Sequence, residues 1–450
     1  MIIKKNNLFF VLVNLILVIL SLLLLTIHNQ KTWVNASTIL YTSFLIFNLY
    51  SLYKIHKTFF NIMFLFCLLA YILHISQIYL GFLDIKAWDN IFRLIDFNSN
   101  KIAFTYSFLA ISIVLITYFF TLNLTKISKK QVQINLYDKN FIRYAFYILY
   151  SFKLYYKFSQ VTVSIQSEYS EALAMVSSFS IMLCTFAEVF SILYIKYIAK
   201  RKNILFMFLI ALEFFFMLTG NRIYSIVYIL AICLFFYSEI FSEKFTFKKK
   251  IILFIVTLFS LVVIVGVKEA RLDGFVNLET LIQNIRESNI IIDLFKELGF
   301  TQVDMAIAIK YQDSINYSKG ISYLFSIFTI FPNFNGFYDN LLPIFYFINE
   351  LKKFFYLNMG GSFICETFMN FKYLGLLVFV GVGYFISRFE NKVRNLKSLT
   401  FPKQVFIIAF TIRLFLWERG YFYGLLRIPI WLYLICQIYH IIFLKFKTKN

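Results

Sequence analysis

The sequence predicts an all-α, polytopic integral membrane protein with about twelve transmembrane helices. Of its 450 residues, 60% are hydrophobic, 21% are aromatic and 15% are charged. A soluble globular domain carries about a quarter charged residues and far fewer aromatic rings. Long apolar runs also alternate with short clusters of Lys and Arg. Together these observations exclude soluble, disordered and collagen-like classes.

A helix crosses the hydrocarbon core with about 20 mostly apolar residues. The first candidate span follows Lys4 and Lys5, but its apolar run is too long for a typical signal peptide, so we expect an uncleaved anchor. We expect one transmembrane domain over 1–450, with spans at 8–27, 33–53, 58–82, 103–124, 141–158, 175–198, 203–218, 223–240, 251–267, 371–387, 404–417 and 425–444.

The positive charges predict the orientation of the spans. The net charge of +21 is distributed in short clusters between apolar runs, which indicates topology rather than nucleic-acid binding. The segments on the side of the N-terminus hold several times as many Lys and Arg residues as the short loops opposite. Because positive loops stay in the cytoplasm, we expect both termini inside and a multi-pass protein of the bacterial cytoplasmic membrane.

One outer segment, 268–358 between the ninth and tenth spans, is too long to be a turn. Leu278, Leu281, Ile282 and Ile285 repeat at the spacing of one apolar helical face. Thr301 with Asp304 can cap a second helix. We therefore expect a structured extracytoplasmic loop with short amphipathic helices that lie on or dip into the outer interface.

The five cysteines are scattered without metal-ligand or redox spacing. The chain also has no phosphate-cradling glycine loop, zinc signature or nucleophile elbow. We therefore expect no metal and no cofactor.

Arginines at the outer ends of spans are the most informative charged residues. Arg222, Arg271, Arg419 and Arg427 lie where the positive-inside tendency disfavours them. Arginine presents a planar fork of donors that matches phosphate oxygens, so several converging arginines could hold a pyrophosphate. The alternative is that each arginine reaches lipid headgroups or pairs with a local acid such as Glu269 or Glu418.

The acids leave similar alternatives. Glu188 and Glu213 lie within spans and could be functional or could pair with Lys153, Lys157 or Lys196. Glu297 and Glu366 lie near the outer face. Either could act as general base on a sugar hydroxyl or bind hydroxyls without doing chemistry.

Four short motifs at these positions, over roughly 140–430, resemble the Wzy-type O-antigen and capsular polysaccharide polymerases. They are Leu218-Thr219-Gly220-Asn221-Arg222; Glu297-Leu298-Gly299 leading to Lys319-Gly320-Ile321-Ser322-Tyr323 and Pro332; Gly360-Gly361-Ser362 with Glu366, Asn370, Phe371 and Gly375; and Arg419-Gly420. Their order and their position on the outer side are more specific than any one motif.

The resemblance implies a membrane glycosyltransferase that polymerises undecaprenyl-pyrophosphate-linked oligosaccharide repeat units at the outer face of the membrane. Because pyrophosphate is a good leaving group whose developing charge arginines can stabilise, we also expect a reaction without metal and with inversion. The resemblance implies catalytic roles for Arg222, Arg271 and Arg419, and we add Glu297 and Glu366 as candidates. We expect Asn221, Arg427, Tyr323 and Ser362 to bind substrate. Expected partners are the lipid-linked substrate, membrane lipid, a chain-length regulator and a flippase of the same pathway, with no nucleic acid.

Two other classes remain open. A lipid-linked oligosaccharide flippase has a similar number of spans, but we expect it to lack a large outer loop. Another membrane glycosyltransferase or an O-antigen ligase is the second alternative. Related ligases use a histidine in an outer loop, and 268–358 contains none.

Overall fold

The computed structural model describes residues 5–83, 85–93, 95–122, 136–166, 178–217, 222–240, 292, 295–296, 298–315, 319–331, 348–354 and 361–447. Helices joined by turns make up these residues, with no strand among them. The helices are α1 Lys5–Leu24, α2 Gln30–His56, α3 Ile62–His74, α4 Ile78–Leu83, α5 Ile85–Phe92, α6 Phe97–Thr121, α7 Leu136–Gln166, α8 Ser178–Tyr197, α9 Lys202–Phe216, α10 Arg222–Ile240, α11 Thr301–Lys310, α12 Ile321–Ser326, α13 Ile348–Leu351, α14 Phe363–Phe371, α15 Leu376–Arg394, α16 Phe401–Trp417 and α17 Tyr423–Lys447.

Helices occupy the predicted spans wherever these are described; the ninth, 251–267, lies outside the described residues. Five described stretches are long and apolar enough to cross a membrane: Asn7–Leu24, Phe97–Thr121, Phe179–Tyr197, Phe363–Arg394 and Tyr423–Ile442. The count of twelve therefore stays a prediction. One physical reason for the difference is that the predicted span 58–82 is divided after His74 into α3 and α4.

Short polar side chains determine where several helices begin. Asn29 accepts a hydrogen bond from the Thr32 N–H at the start of α2, and Asn61 does the same for Phe64 at the start of α3. These residues satisfy backbone donors that have no partner within the helix. Asp96 and Ser362 cap α6 and α14 in the same way.

The described helices form two compact units, and the first comprises 1–128, 294–395 and 417–427. Within it, α1, α11 and α15 all pack against α6. The side chains of Asn14 on α1 and Asn48 on α2 donate to each other at 2.9 Å. Lys101 on α6 donates from Nζ to the carbonyls of Leu25 and Ile27, at 2.7 and 3.1 Å, just after α1 ends.

The helix α11 comes from the predicted outer loop, and its environment differs from the prediction. All of its residues except Lys310 are buried, so it is not an amphipathic interface helix. The predicted cap at Thr301 and Asp304 is also wrong: the helix begins after Phe300 without a side-chain cap, and Thr301 instead donates to the Leu73 carbonyl. The apolar repeat at 278–285 lies outside the described residues.

The second unit comprises 129–293, 396–416 and 428–450. Its described core is built mainly by α7 and α8, with α9 and α10 packed beside them. Lys153 on α7 is fully buried and forms ion pairs with Glu188 at 2.9 Å and Glu213 at 2.6 Å. The predicted pairing of these two acids with a lysine is confirmed, with Lys153 as that lysine.

Candidate functional site

Glu366 in the first unit is a buried carboxylate held at the final predicted outer turn. It lies in the first turn of α14, which begins because Ser362 accepts a hydrogen bond from the Cys365 N–H. The Glu366 Oε2 atom accepts from the Phe422 N–H at 2.8 Å and from the Trp417 indole N–H at 3.4 Å. Its Oε1 atom receives no hydrogen bond from the described residues. One oxygen of the Glu366 carboxylate is therefore anchored by two hydrogen bonds.

The Arg419-Gly420 motif lies directly against the motif that contains Glu366. A Cβ atom added at Gly361 would lie 2.8–2.9 Å from backbone atoms of Gly420, which is closer than real Cβ contacts allow. Glycine at position 361 therefore lets the two segments approach each other. Two motifs that are far apart in the sequence meet in this unit.

Tyr323 and Ser322, from the predicted outer loop, complete the same region. The hydroxyls of Tyr323 and Thr367 are 2.7 Å apart, and the ring of Tyr323 lies 4.6 Å from that of Phe422. Ser322 donates to Asn370 at 2.9 Å. Parts of three of the four predicted motifs therefore come together around α14, and we call these residues the α14 cluster.

Two further buried acids of this unit were missed by the sequence analysis. Asp304 and Glu418 are fully buried, and their carboxyl oxygens receive no hydrogen bond from the described residues. Burial raises the pKa of both carboxyls well above the usual range, and the nearby Arg419 charge opposes this for Asp304. Because the Glu418 oxygens accept no hydrogen bond from the described residues, the alternative of a local hydrogen-bonded pair between Arg419 and Glu418 is not observed.

His74, the last residue of α3, also belongs to this region. It is fully buried and donates from Nε2 to the Glu418 carbonyl at 3.1 Å. Its ring packs edge-on against Phe363 of α14. The signal that could have found Asp304 is a lone acid in the apolar run Val303–Ile309, and no comparable local signal marks His74.

Among the residues that the structure describes, no group of three or more His, Cys, Asp and Glu side chains is placed to hold a metal ion. The described cysteines are free. The polar groups of the α14 cluster are instead carboxyl, hydroxyl and amide groups. Such groups suit the recognition and deprotonation of sugar hydroxyls.

A comparison with protein families matches residues 7–450 to the family described as O-antigen polysaccharide polymerase Wzy. The chain belongs to this family. Comparisons with curated proteins and with solved structures find no match. The match extends from the first helix to residue 450, so it includes the amino-terminal spans that lie outside the motif resemblance.

The arginines predicted for a Wzy polymerase are divided between the two units. Arg419 and Arg427 are partly exposed residues of the first unit, and Arg222 is the partly exposed first residue of α10 in the second unit. Arg271, Asn221 and Glu297 lie outside the described residues. The structure therefore brings together Glu366, Ser362, Tyr323 and the Arg419 turn, and the convergence of all the arginines stays a prediction.

Proposed function

We propose that this Wzy-family polymerase transfers a growing glycan from undecaprenyl pyrophosphate to the non-reducing end of another lipid-linked repeat unit. The reaction takes place outside the cytoplasmic membrane. The whole-chain family match carries the proposal of polymerisation. The distribution of Lys and Arg supports the outer location, because it places the turn containing Arg419 opposite the positively charged loops.

In this proposal Glu366 is the general base. The oxygen of the acceptor hydroxyl forms a bond to the anomeric carbon of the donor, and its proton passes to Oε1 of Glu366. The bond between that carbon and the pyrophosphate oxygen breaks, and its electron pair leaves with undecaprenyl pyrophosphate. The anchored Oε2 atom supports this role, because a base with a fixed orientation is already placed for proton transfer. Glu297 is the second candidate base.

Arginines stabilise the charge that develops on the departing pyrophosphate. Arg222, Arg271 and Arg419 are the proposed donors, and each positioned donor of this kind contributes about 3–4 kcal/mol to lowering the barrier. Asn221, Arg427, Tyr323 and Ser362 bind the substrate. Because pyrophosphate departs readily once its charge is stabilised, the reaction proceeds without a metal ion, and a single displacement inverts the anomeric centre. Loss of polymerisation in EDTA that Mg²⁺ restores would contradict metal independence.

The decisive experiment is the glycan profile of a deletion strain that carries plasmid-borne variants. The deletion strain without a plasmid-borne copy should export single repeat units, and the wild-type gene should restore a ladder of longer glycans. Arg222→Ala should lower the polymerisation rate by about 10²–10³-fold and leave single repeats on the outer face. The exposed Arg201 provides the control, since Arg201→Ala should keep the ladder. Repeats trapped inside the cell would instead indicate a flippase.

Glu366→Gln tests the proposed base directly. The amide keeps the size of the side chain and can still accept the hydrogen bonds from Phe422 and Trp417, but it cannot take up the proton. We expect polymerisation to fall by about 10²-fold or more. Glu350→Gln, at a partly exposed carboxylate, is the control and should polymerise normally. Normal glycan lengths in Glu366→Gln would show that another group acts as the general base.

A further inference from the structure

One face of α7 in the second unit carries four polar residues at helical spacing. Lys153, Tyr156, Lys157 and Gln160 are related by steps of three and four residues, so they lie along one side of the helix. Lys153, Lys157 and Gln160 are all buried. The proposed reaction has so far used none of them.

The two buried acids of this region, Glu188 and Glu213, both form ion pairs with Lys153. Its Nζ atom lies 2.9 Å from Oε1 of Glu188 and 2.6 Å from Oε1 of Glu213. The second oxygen of Glu213 accepts a hydrogen bond from Ser225 at 2.8 Å. Lys153 also lies 4.4 Å from the centre of the Tyr228 ring, a favourable position for a cation. This group is a self-sufficient structural cluster.

Lys157, one turn further along α7, is in a different situation. Its exposure is 7%, yet it makes no hydrogen bond or ion pair with a residue that the structure describes. A buried ammonium group without a hydrogen-bond acceptor is unfavourable unless something else satisfies it. The Glu188 and Glu213 charges compensate for it from a distance, so the charge of the four side chains balances while the donors of Lys157 remain unused.

Lys157 and Gln160 line a cavity of about 20 Å³. The other lining residues are Tyr156, Ile181, Cys184, Thr185, Tyr224 and Glu188, whose Oε1 atom is already paired with Lys153. The Gln160 side chain donates from Nε2 to the Tyr156 hydroxyl at 2.9 Å, and its buried Oε1 atom accepts no hydrogen bond from the described residues. Among the described residues, the cavity therefore contains a donor on Lys157 and a buried acceptor on Gln160 that have no hydrogen-bond partner.

This complement of groups determines the chemistry of the ligand. A hydroxyl accepts a hydrogen bond from an ammonium and donates one to an amide oxygen at the same time. A phosphate diester could use Lys157 but has no proton to offer Gln160, and its negative charge would lie beside the Glu188 carboxylate. The cavity also has room for roughly one oxygen-sized group.

We infer that this cavity, the Lys157 pocket, binds one hydroxyl group of a sugar in the lipid-linked repeat unit. The inference rests on the proposed function, which supplies the sugar. Lys157 donates a hydrogen bond to the hydroxyl oxygen, and Oε1 of Gln160 accepts a hydrogen bond from the hydroxyl proton. The pocket thereby contributes to binding the repeat unit and to selecting its stereochemistry, and it does no bond-making chemistry itself.

The test uses purified full-length protein in lipid nanodiscs. The probe is the lipid-linked repeat unit extracted from the deletion strain, and the measurement is KM and kcat of polymerisation. Lys157→Met and Gln160→Leu should each raise KM about tenfold, with kcat within about twofold of the wild type, because each variant leaves the substrate hydroxyl one hydrogen bond short. Lys139→Met, at an exposed position of the same helix, should leave both constants unchanged.

Unfolding temperature separates binding from a structural role. The stability readout is Gln160→Leu, which removes a buried amide oxygen that accepts no hydrogen bond from the described residues, so this variant should unfold at the same or a higher temperature than the wild type while its KM rises. Lys157→Met unbalances the buried charge and is therefore judged by KM alone. Gln160→Leu changes no charge and provides the test if Lys157→Met does not fold. Unchanged KM in the folded variants would overturn the inference and would assign the cavity to a structural water. Absence of polymerisation by the wild type would instead contradict the proposed function.

Discussion

Single residues of this protein differ in whether their burial is balanced by partners. Lys153 is fully buried, but it forms ion pairs with two carboxylates and lies over an aromatic ring. One of these carboxylates, Glu213, also accepts a hydrogen bond from the Ser225 hydroxyl. Glu418 is equally buried, yet neither carboxyl oxygen receives a hydrogen bond from the described residues. The first arrangement maintains a charge inside the protein, whereas the second favours the neutral acid.

The stability of the protein should therefore depend on pH through Glu418. Burial raises the folded-state pKa of this carboxyl, so its contribution to stability is fully present below its unfolded pKa and is lost as the pH rises towards the folded pKa. Each pH unit within that window lowers stability by up to about 1.4 kcal/mol. The unfolding temperature in detergent should fall between pH 5 and pH 8, and Glu418→Gln should reduce the slope.

The control for this pH series is Glu350→Gln, because Glu350 forms a partly exposed ion pair with Lys353 and is not deeply buried. Its pH profile should match that of the wild type. A profile for Glu418→Gln that matches the wild type as well would mean that the carboxyl is solvated in the membrane-embedded protein.

At the scale of single helices, a polar side chain of one helix satisfies the backbone groups at the end of another. The chain leaves α1 near Leu25, where the last carbonyls of a helix have no partner within it. Lys101 of α6 supplies these partners through a single ammonium group. A lysine predicted to be part of a short outer loop is thus a link between two packed helices.

Lys101→Met should destabilise the first unit. It removes two charge-assisted hydrogen bonds while keeping the aliphatic part of the side chain, so we expect a loss of about 1–3 kcal/mol. Thermal unfolding of the purified protein in detergent measures this loss. The exposed Lys31 on α2 is the matched control, and Lys31→Met should unfold with the wild type. Equal unfolding temperatures for both variants would show that water satisfies the carbonyls.

Helix positions were predictable where apolar length alone determines them, as for α1 and α6. The environment of α11 was not, because the buried state of Asp304 depends on packing against helices that are distant in the sequence. The same holds for the site. The motifs around Glu366 and Tyr323 were recognisable from residue types and order, whereas the contact of His74 with the Glu418 carbonyl joins positions 344 residues apart.

At the scale of the whole molecule, the distribution of charge predicts that both termini face the cytoplasm. Single cysteines introduced near residue 4 and at residue 449, in a variant without the five native cysteines, should resist a membrane-impermeant maleimide in intact spheroplasts. They should react after the membrane is opened. A cysteine at the exposed His28, in the first predicted outer turn, is the control and should react in intact spheroplasts. Immediate labelling of both terminal cysteines would reverse the orientation and would remove the support for an outer site.

The first compact unit is assembled from three separate stretches of chain, the last of which is 417–427. During synthesis, the early helices are therefore in place long before the carboxylate of Glu366 can meet the backbone of Phe422. The candidate base acquires its fixed orientation only after Phe422 has been synthesised and has left the ribosome. A nascent or prematurely terminated chain would hold its helices in the bilayer with this centre still unformed.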